Sequence, residues 1–209
     1  LIKVSYEKAE GKVDFAKLAG TAIPSKNPGS ADAIRGNVDS AFNLAEHKVE
    51  ATYDTPVEHH QPMEPHATIA VWEGENLTLY NASQMVNAAQ TSAAATLGLK
   101  PEQVRIISPH IGGGFGSKGG GWSNIVLAAV AAKMVKRPVK LALTRQQMFN
   151  SVGLRQRNRQ RLRLAATKNG KLTAIAHETV THTAIRDEYI EGCGDCSKIM
   201  YDAPNSLIT

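Results

Sequence analysis

The stretch 111–121, Ile-Gly-Gly-Gly-Phe-Gly-Ser-Lys-Gly-Gly-Gly, constrains this chain more than any other segment. Seven of its eleven residues are glycine, so it has almost nothing to bury, and every glycine loses more backbone entropy on ordering than any other residue. What such a loop allows is close approach of the main chain to a ligand, with several amide N–H groups converging on one oxygen-rich group. A strand is expected before it at 104–108 and a helix after it from Ser123, whose amino terminus would add partial positive charge. Lys118 would add a full one. A flexible linker would favour serine and would not place Phe115 among the glycines. The loop reads as a cradle for an anionic, phosphorylated cofactor.

Two nucleotide patterns were compared with it. A P-loop needs Gly-Lys-Ser/Thr, but Ser117 separates Gly116 from Lys118, so that pattern fails. Gly114, Gly116 and Gly119 match G-x-G-x-x-G literally, and strands on either side of the helix would make a βαβ unit. Arg145 stands where an acidic residue would bind a ribose, and would suit a 2′-phosphate. An NADP-binding or non-catalytic anion-binding module is therefore the second reading.

The chain has 209 residues, 42% apolar and 21% charged, enough for a real core and too much for a disordered tail. No apolar run approaches the roughly 18 residues of a membrane helix. A net charge of +5, with aromatics at only 5%, does not argue for nucleic acid. Cys193 and Cys196 are the only cysteines, and without a second pair they read as two loop thiols. No signal-peptide pattern opens the chain. An apolar alternation without an initiator Met at one end, and a strand beginning near 203–209 at the other, read as a piece of a longer polypeptide.

Hydrophobic periodicity and punctuation give the remaining elements. Strands are expected at 1–8, 48–54, 67–72, 77–82, 104–108, 139–144, 155–165 and 171–183. Helices are expected at 40–46, capped by Asp39, at 87–97 and at 123–136, with a short helical turn at 145–150. Residues 19–36, rich in Gly, Pro, Ser and Asn, read as a linker. Lys168-Asn-Gly170 closes a hairpin, with glycine where a positive φ is needed. Most strand pairs are antiparallel, so the fold class is α+β with mixed, mostly antiparallel sheets and packed helices.

Two polar clusters complete the reading. Glu58, His59, His60, Glu64 and His66 contain metal-ligand residue types, but Pro62 and Pro65 forbid a helix. In an extended segment His60, Glu64 and His66 share a side, and a buried, hydrogen-bonded polar segment explains them better than a metal. Arg155, Arg157, Arg159, Arg161 and Arg163 would all face one way on a strand, a cationic face that needs solvent, carboxylates or an anion.

Taken in order, these segments resemble the molybdenum-binding subunit of the xanthine dehydrogenase and aldehyde oxidase family, and most nearly its bacterial aldehyde oxidoreductases. The residues that carry the resemblance are His60-Gln-Pro-Met-Glu-Pro-His66 with the strand after it, Ala82-Ser-Gln84, the loop from Gly112 to Lys118, Arg137-Pro-Val-Lys140 and the 168–175 hairpin. The resemblance implies a molybdenum–molybdopterin cofactor, in bacteria usually the cytosine dinucleotide form, held by hydrogen bonds with no side chain on the metal. It implies that Gln84 hydrogen-bonds an oxo ligand of molybdenum, and that Gly113, Gly114, Phe115 and Gly116 lie beside the metal and pterin. It further implies oxidation of aldehydes or N-heteroaromatics with water as oxygen source, and partner subunits carrying iron–sulfur clusters and FAD. Gly119 replaces a glutamate common in the family, which argues against purines and favours aldehydes. The family's catalytic glutamate would lie beyond Thr209, so the chain alone would be inactive. By the same resemblance, 1–8 would end a hammerhead-type domain, 9–47 would connect, and 48–209 would begin the molybdopterin-binding domain.

Overall fold

A computed structural model describes residues 3–26, 32–185 and 188–209. The chain forms two compact units, one from Leu1–Val57 and Gln156–Thr209, the other from Glu58–Arg155. The second unit is therefore an insertion between two strands of the first. In chain order the elements are α1 (Phe15–Leu18), β1 (Ala33–Arg35), α2 (Val38–Leu44), β2 (His47–Thr55), β3 (Ala67–Glu73), β4 (Asn76–Asn81), α3 (Val86–Leu97), β5 (Val104–Ile107), α4 (Ser123–Val135), β6 (Val139–Ala142), β7 (Asn158–Ala166), β8 (Leu172–Thr181), α5 (Asp195–Met200) and β9 (Asn205–Ile208). None of the described helices is long and apolar enough to cross a membrane.

The first unit is a five-stranded sheet of order β1-β9-β8-β7-β2. Its pairs are antiparallel except β8 with β9. The β7–β8 hairpin turns at Gly170, which has φ +79° as the turn requires. On one face α2 covers Ala165, Ala174 and Ala176 with Val38 and Phe42, small residues that let the helix sit close. Here Asn37, not Asp39, caps the helix, its side chain accepting from the Ser40 amide at 2.9 Å. Asp39 is released to pair with Arg163 at 2.6 Å.

That pairing belongs to a ladder. Arg157 and Arg159 meet Asp54 at 3.8 and 3.2 Å, and Arg161 meets Glu50 at 2.7 Å. Glu178 reaches Arg161 and Arg163 at 3.5 and 3.4 Å. Opposite charges on neighbouring strands thus offset the repulsion five like charges would create. The expectation of one five-arginine stripe fails at its first member: β7 starts at Asn158, and Arg155 lies in the other unit.

Other expectations also need correction. Residues 3–8 form no strand and are exposed, while Leu1 and Ile2 lie outside the described residues. An alternating sequence with no partner strand has nothing to pair with. The 19–36 stretch holds a 3-10 turn at Ala19–Thr21 and strand β1, which pairs with β9, and residues 27–31 lie outside the described part. Cys196 sits in α5, not a loop, and is exposed; Cys193 is half-buried, and both are free thiols.

The second unit is a four-stranded sheet of order β5-β4-β3-β6, antiparallel except β4 with β5. Helices α3 and α4 pack on it. Ala93, Ala94, Ile125, Ala128, Ala129 and Ala132 face Ala70, Leu77, Leu79 and Val104, and all are essentially inaccessible. Alanine on the helix side again permits a close fit. Strands β5 and β6, which flank the glycine loop and α4, are separated in the sheet by β4 and β3. The expected dinucleotide-type βαβ unit, which sets its two strands side by side, is therefore not formed.

Candidate functional site

The 111–121 loop leaves the end of β5 and returns to α4. Two segments hold it from below. The first runs from His60 to His66 just before β3, and the second is the turn after β4 at Ser83 and Gln84.

The first segment meets the loop residue by residue. Glu64 Oε2 accepts from the Gly112 amide at 2.8 Å and from Lys118 Nζ at 2.5 Å, and the Glu64 amide donates to the Gly112 carbonyl at 3.1 Å. Pro62 packs against Gly113. His66 Nε2 lies 3.0 Å from the Ser117 carbonyl, which also accepts from the Trp122 indole. His66 is buried, and that burial pushes its imidazole pKa down, helped by the nearby Lys118 cation and opposed by the Ser117 hydrogen bond. The ring is neutral at pH 7 and carries its proton on Nε2, where the carbonyl needs a donor. For Glu64, burial raises the carboxyl pKa. The Lys118 hydrogen bond, the Gly112 amide and the Lys118 charge together outweigh it and hold the group below the ordinary carboxylate range. The Lys118 side chain has no exposure. Its charge is spent on Glu64, so the free cation expected from the sequence is instead an internal anchor. His60, Glu64 and His66 do share a side, and that side faces the loop.

The second segment fixes the loop's centre. Gln84 Oε1 accepts from the amides of Gly116 at 2.9 Å and Lys118 at 3.2 Å, and the Gln84 amide donates to the Lys118 carbonyl at 2.8 Å. Only the carbonyl end of the Gln84 amide can accept, so Nε2 is the outward end, and it has no partner among the described residues. The close contact needs Gly114. A Cβ there would stand 2.5 Å from Gln84 Cδ and closer still to Oε1.

The loop's own backbone is unusual. Phe115 adopts φ +56° and Gly116 φ +101°, and a positive φ at a bulky residue is costly unless the surroundings hold it. Ser117 Oγ and the Ser117 amide both donate to the Gly114 carbonyl at 2.9 Å, closing the turn. By contrast, the N–H groups of Gly113, Gly114 and Phe115 find no acceptor among the described residues. Three successive donors on a partly buried loop, beside the outward Gln84 Nε2, form a donor set suited to an oxygen- or sulfur-rich anionic group. The Phe115 side chain is exposed beside them.

Thus Gln84, Gly113, Gly114, Phe115 and Gly116 come together in one place. Arg145 does not join them as a phosphate hook. Its guanidinium donates to Gln61 Oε1 at 3.2 Å and to the carbonyls of Pro62 and Met63 at 2.7 and 2.9 Å, bracing the first supporting segment. With the βαβ unit absent as well, the G-x-G-x-x-G match is coincidental. Arg155 is the contact that sequence reading missed. Its Nη2 donates to the Phe115 carbonyl at 3.0 Å, but in the sequence it looks like the first rung of the arginine ladder. Cys193 lies in the other unit, where burial, then the carboxylates of Glu191 and Asp195, push its thiol pKa up. That is opposite to what a reactive cysteine needs.

Comparison with known proteins gives a consistent result. Residues 23–206 match the family described as the molybdopterin cofactor-binding domain. The aldehyde oxidoreductase molybdenum-binding subunit PaoC of Escherichia coli is 44% identical over 181 residues, covering 86% of this chain and 24% of that protein. The carbon monoxide dehydrogenase large chain of Afipia carboxidovorans is 33% identical over 144 residues, covering 67% of this chain and 17% of its own. Among solved structures, the aldehyde oxidoreductase of Desulfovibrio gigas superposes with a TM-score of 0.79 at 24% identity, covering 99% of this chain and 24% of that one. The chain thus spans about a quarter or less of each of these relatives.

Proposed function

The chain belongs to the molybdopterin cofactor-binding domain family, and from that premise we propose that its glycine loop and Gln84 hold a molybdenum–molybdopterin cofactor in an enzyme that oxidises aldehydes. N-heteroaromatic compounds are the second substrate class, and water is the oxygen source. The observation that carries this reading is the lock between Gln84 and the loop. It consumes the Gln84 carbonyl and the Gly116 and Lys118 amides, leaving Nε2 and three successive N–H groups as donors. These donors fit the group by their chemistry, since the oxo and sulfur ligands of the metal and the ring carbonyl of a pterin are acceptors for them.

When bound, the cofactor supplies the two-electron oxidation of the substrate carbon. The protein's part is to bind and orient. Gln84 Nε2 and the Gly113, Gly114 and Phe115 amides would hold the group, as hydrogen-bond donors to its oxygen and sulfur atoms. Phe115 presents its exposed ring at the rim. The Glu64–Lys118 pair and His66 keep the loop's underside fixed, so the donors need no reorganisation. Within this reading residues 48–209 begin the cofactor domain, 1–8 end a preceding hammerhead-type domain, and 9–47 connect them. The cofactor is the cytosine dinucleotide form, and partner subunits carry the iron–sulfur clusters and FAD.

In the full-length enzyme, Gln84→Ala is expected to depress turnover more than it depresses molybdenum content. Metal analysis beside aldehyde oxidation measures both. Unchanged turnover would remove Gln84 from the site, and a cofactor-loaded enzyme lacking a cytosine nucleotide would remove that form.

A further inference from the structure

We infer that Arg155 is a positioning residue for the cofactor loop, gripping together with Gln84 the single peptide unit between Phe115 and Gly116. The carbonyl of that peptide accepts from Arg155 Nη2 at 3.0 Å, and its N–H donates to Gln84 Oε1 at 2.9 Å. Both polar ends of one peptide are thus held by side chains, which leaves the peptide no freedom to flip. The grip explains how Phe115 keeps φ +56° and Gly116 φ +101°, conformations that a loop without such restraint would leave. It also explains why position 116 has no side chain. A Cβ there would stand 2.9 Å from Arg155 Nη2 and 3.4 Å from His60 Nε2.

Gly113 (φ +87°), Phe115 and Gly116 all have positive φ, and the grip fixes the last two of these turns, directly after the Gly113, Gly114 and Phe115 amides. Arg155 therefore acts through the backbone and not by touching the cofactor. It is itself well placed for this, because its main chain makes a two-way bridge to Glu58 at 3.1 and 2.8 Å. That bridge does not depend on the side chain, so a substitution that trims the guanidinium leaves the anchor in place.

This inference rests on the cofactor reading above, and its test separates the two. Arg155→Met is compared with wild type in the full-length enzyme purified without cofactor, by hydrogen–deuterium exchange. Loss of one charge-assisted hydrogen bond should accelerate exchange of the 113–118 amides on the order of tenfold or more, with β3 and β4 unchanged. Unaltered exchange in the loop would overturn the grip, and so would acceleration spread equally over both strands, which a merely structural role produces. The same variant loaded with cofactor should retain several-fold less molybdenum on dialysis. If the loop loosens but retention is unchanged, the grip stands as a backbone restraint, and the assignment of this loop to the cofactor is refuted.

Discussion

Replacing Gly114 by alanine probes the lock between Gln84 and the loop with a single methyl group. The φ of Gly114 lies outside the left-handed region, so alanine adds no left-handed strain there, and the contact with Gln84 dominates the effect. The new Cβ would stand 2.5 Å from Gln84 Cδ and 2.8 Å from Cγ, atoms of a side chain that must swing away. Swinging it away breaks two neutral hydrogen bonds, to the Gly116 and Lys118 amides. At about 1 kcal/mol each, the loop's ordered form loses about 2 kcal/mol, or roughly thirtyfold in the equilibrium between ordered and open loop. Gln84→Ala breaks the same two bonds and should cost about the same. The double variant is the decisive case. With Gln84 already truncated, the three atoms nearest the Gly114 methyl group are gone, so the pair should again cost about thirtyfold, far from the roughly thousandfold that independent sites would give. The assay is retention of molybdenum by the full-length enzyme on dialysis, read for wild type, both single variants and the double. Losses that multiply would refute the reasoning, because they would mean that Gly114 and Gln84 act separately.

Two further outcomes follow from the loop's underside and its flank. The Glu64 pKa is depressed, so its contribution to stability is complete above the ordinary carboxylate value of about 4.3 and is lost as pH falls through the depressed one. Glu64→Gln should therefore be less stable than wild type at neutral pH and converge with it in acid, as urea midpoints across that range would record; parallel profiles would exclude the role given to Lys118. Arg145→Ala should lower stability by about 2 kcal/mol, since three oxygens of the 61–63 segment lose a charged donor. Its thermal midpoint would show this, while calorimetric titration with NADPH should give no saturable binding to wild type, and micromolar binding would restore the dinucleotide reading.

The parts of this fold that were legible in the sequence are those governed by local pattern. The β3–β4 hairpin around Gly74, the alanine-rich α3 stopped by Gly98, the apolar α4 and the long β7–β8 hairpin all arise from periodicity and turn chemistry acting over a few residues. Their observed bounds differ from the expected ones by three residues at most. What stayed hidden depends on partners distant in the chain. The parallel pairing of β4 with β5 and of β8 with β9 has no local signature, and neither does the order that separates β5 from β6. At the site, glycine content announced a loop that something must approach closely. It did not say that the approaching groups at 114 and 116 are protein side chains, Gln84 and Arg155. Lys118 misled for a related reason. A lysine among glycines looks exposed, and only the return of Glu64 from 54 residues earlier reveals it as buried. Arg155 was concealed by its neighbours, whose alternation it continues in sequence but not in space.

The bridge between Glu58 and Arg155 has a consequence for how the chain is divided. Because the first and last residues of the inner unit are hydrogen-bonded to each other, that unit has the geometry of a cassette spliced into the hairpin formed by β2 and β7. Its ends ask the host for no more than a turn would. Each unit has a hydrophobic cluster of its own, and the outermost residue of the cassette is the same arginine that steadies its most delicate turn.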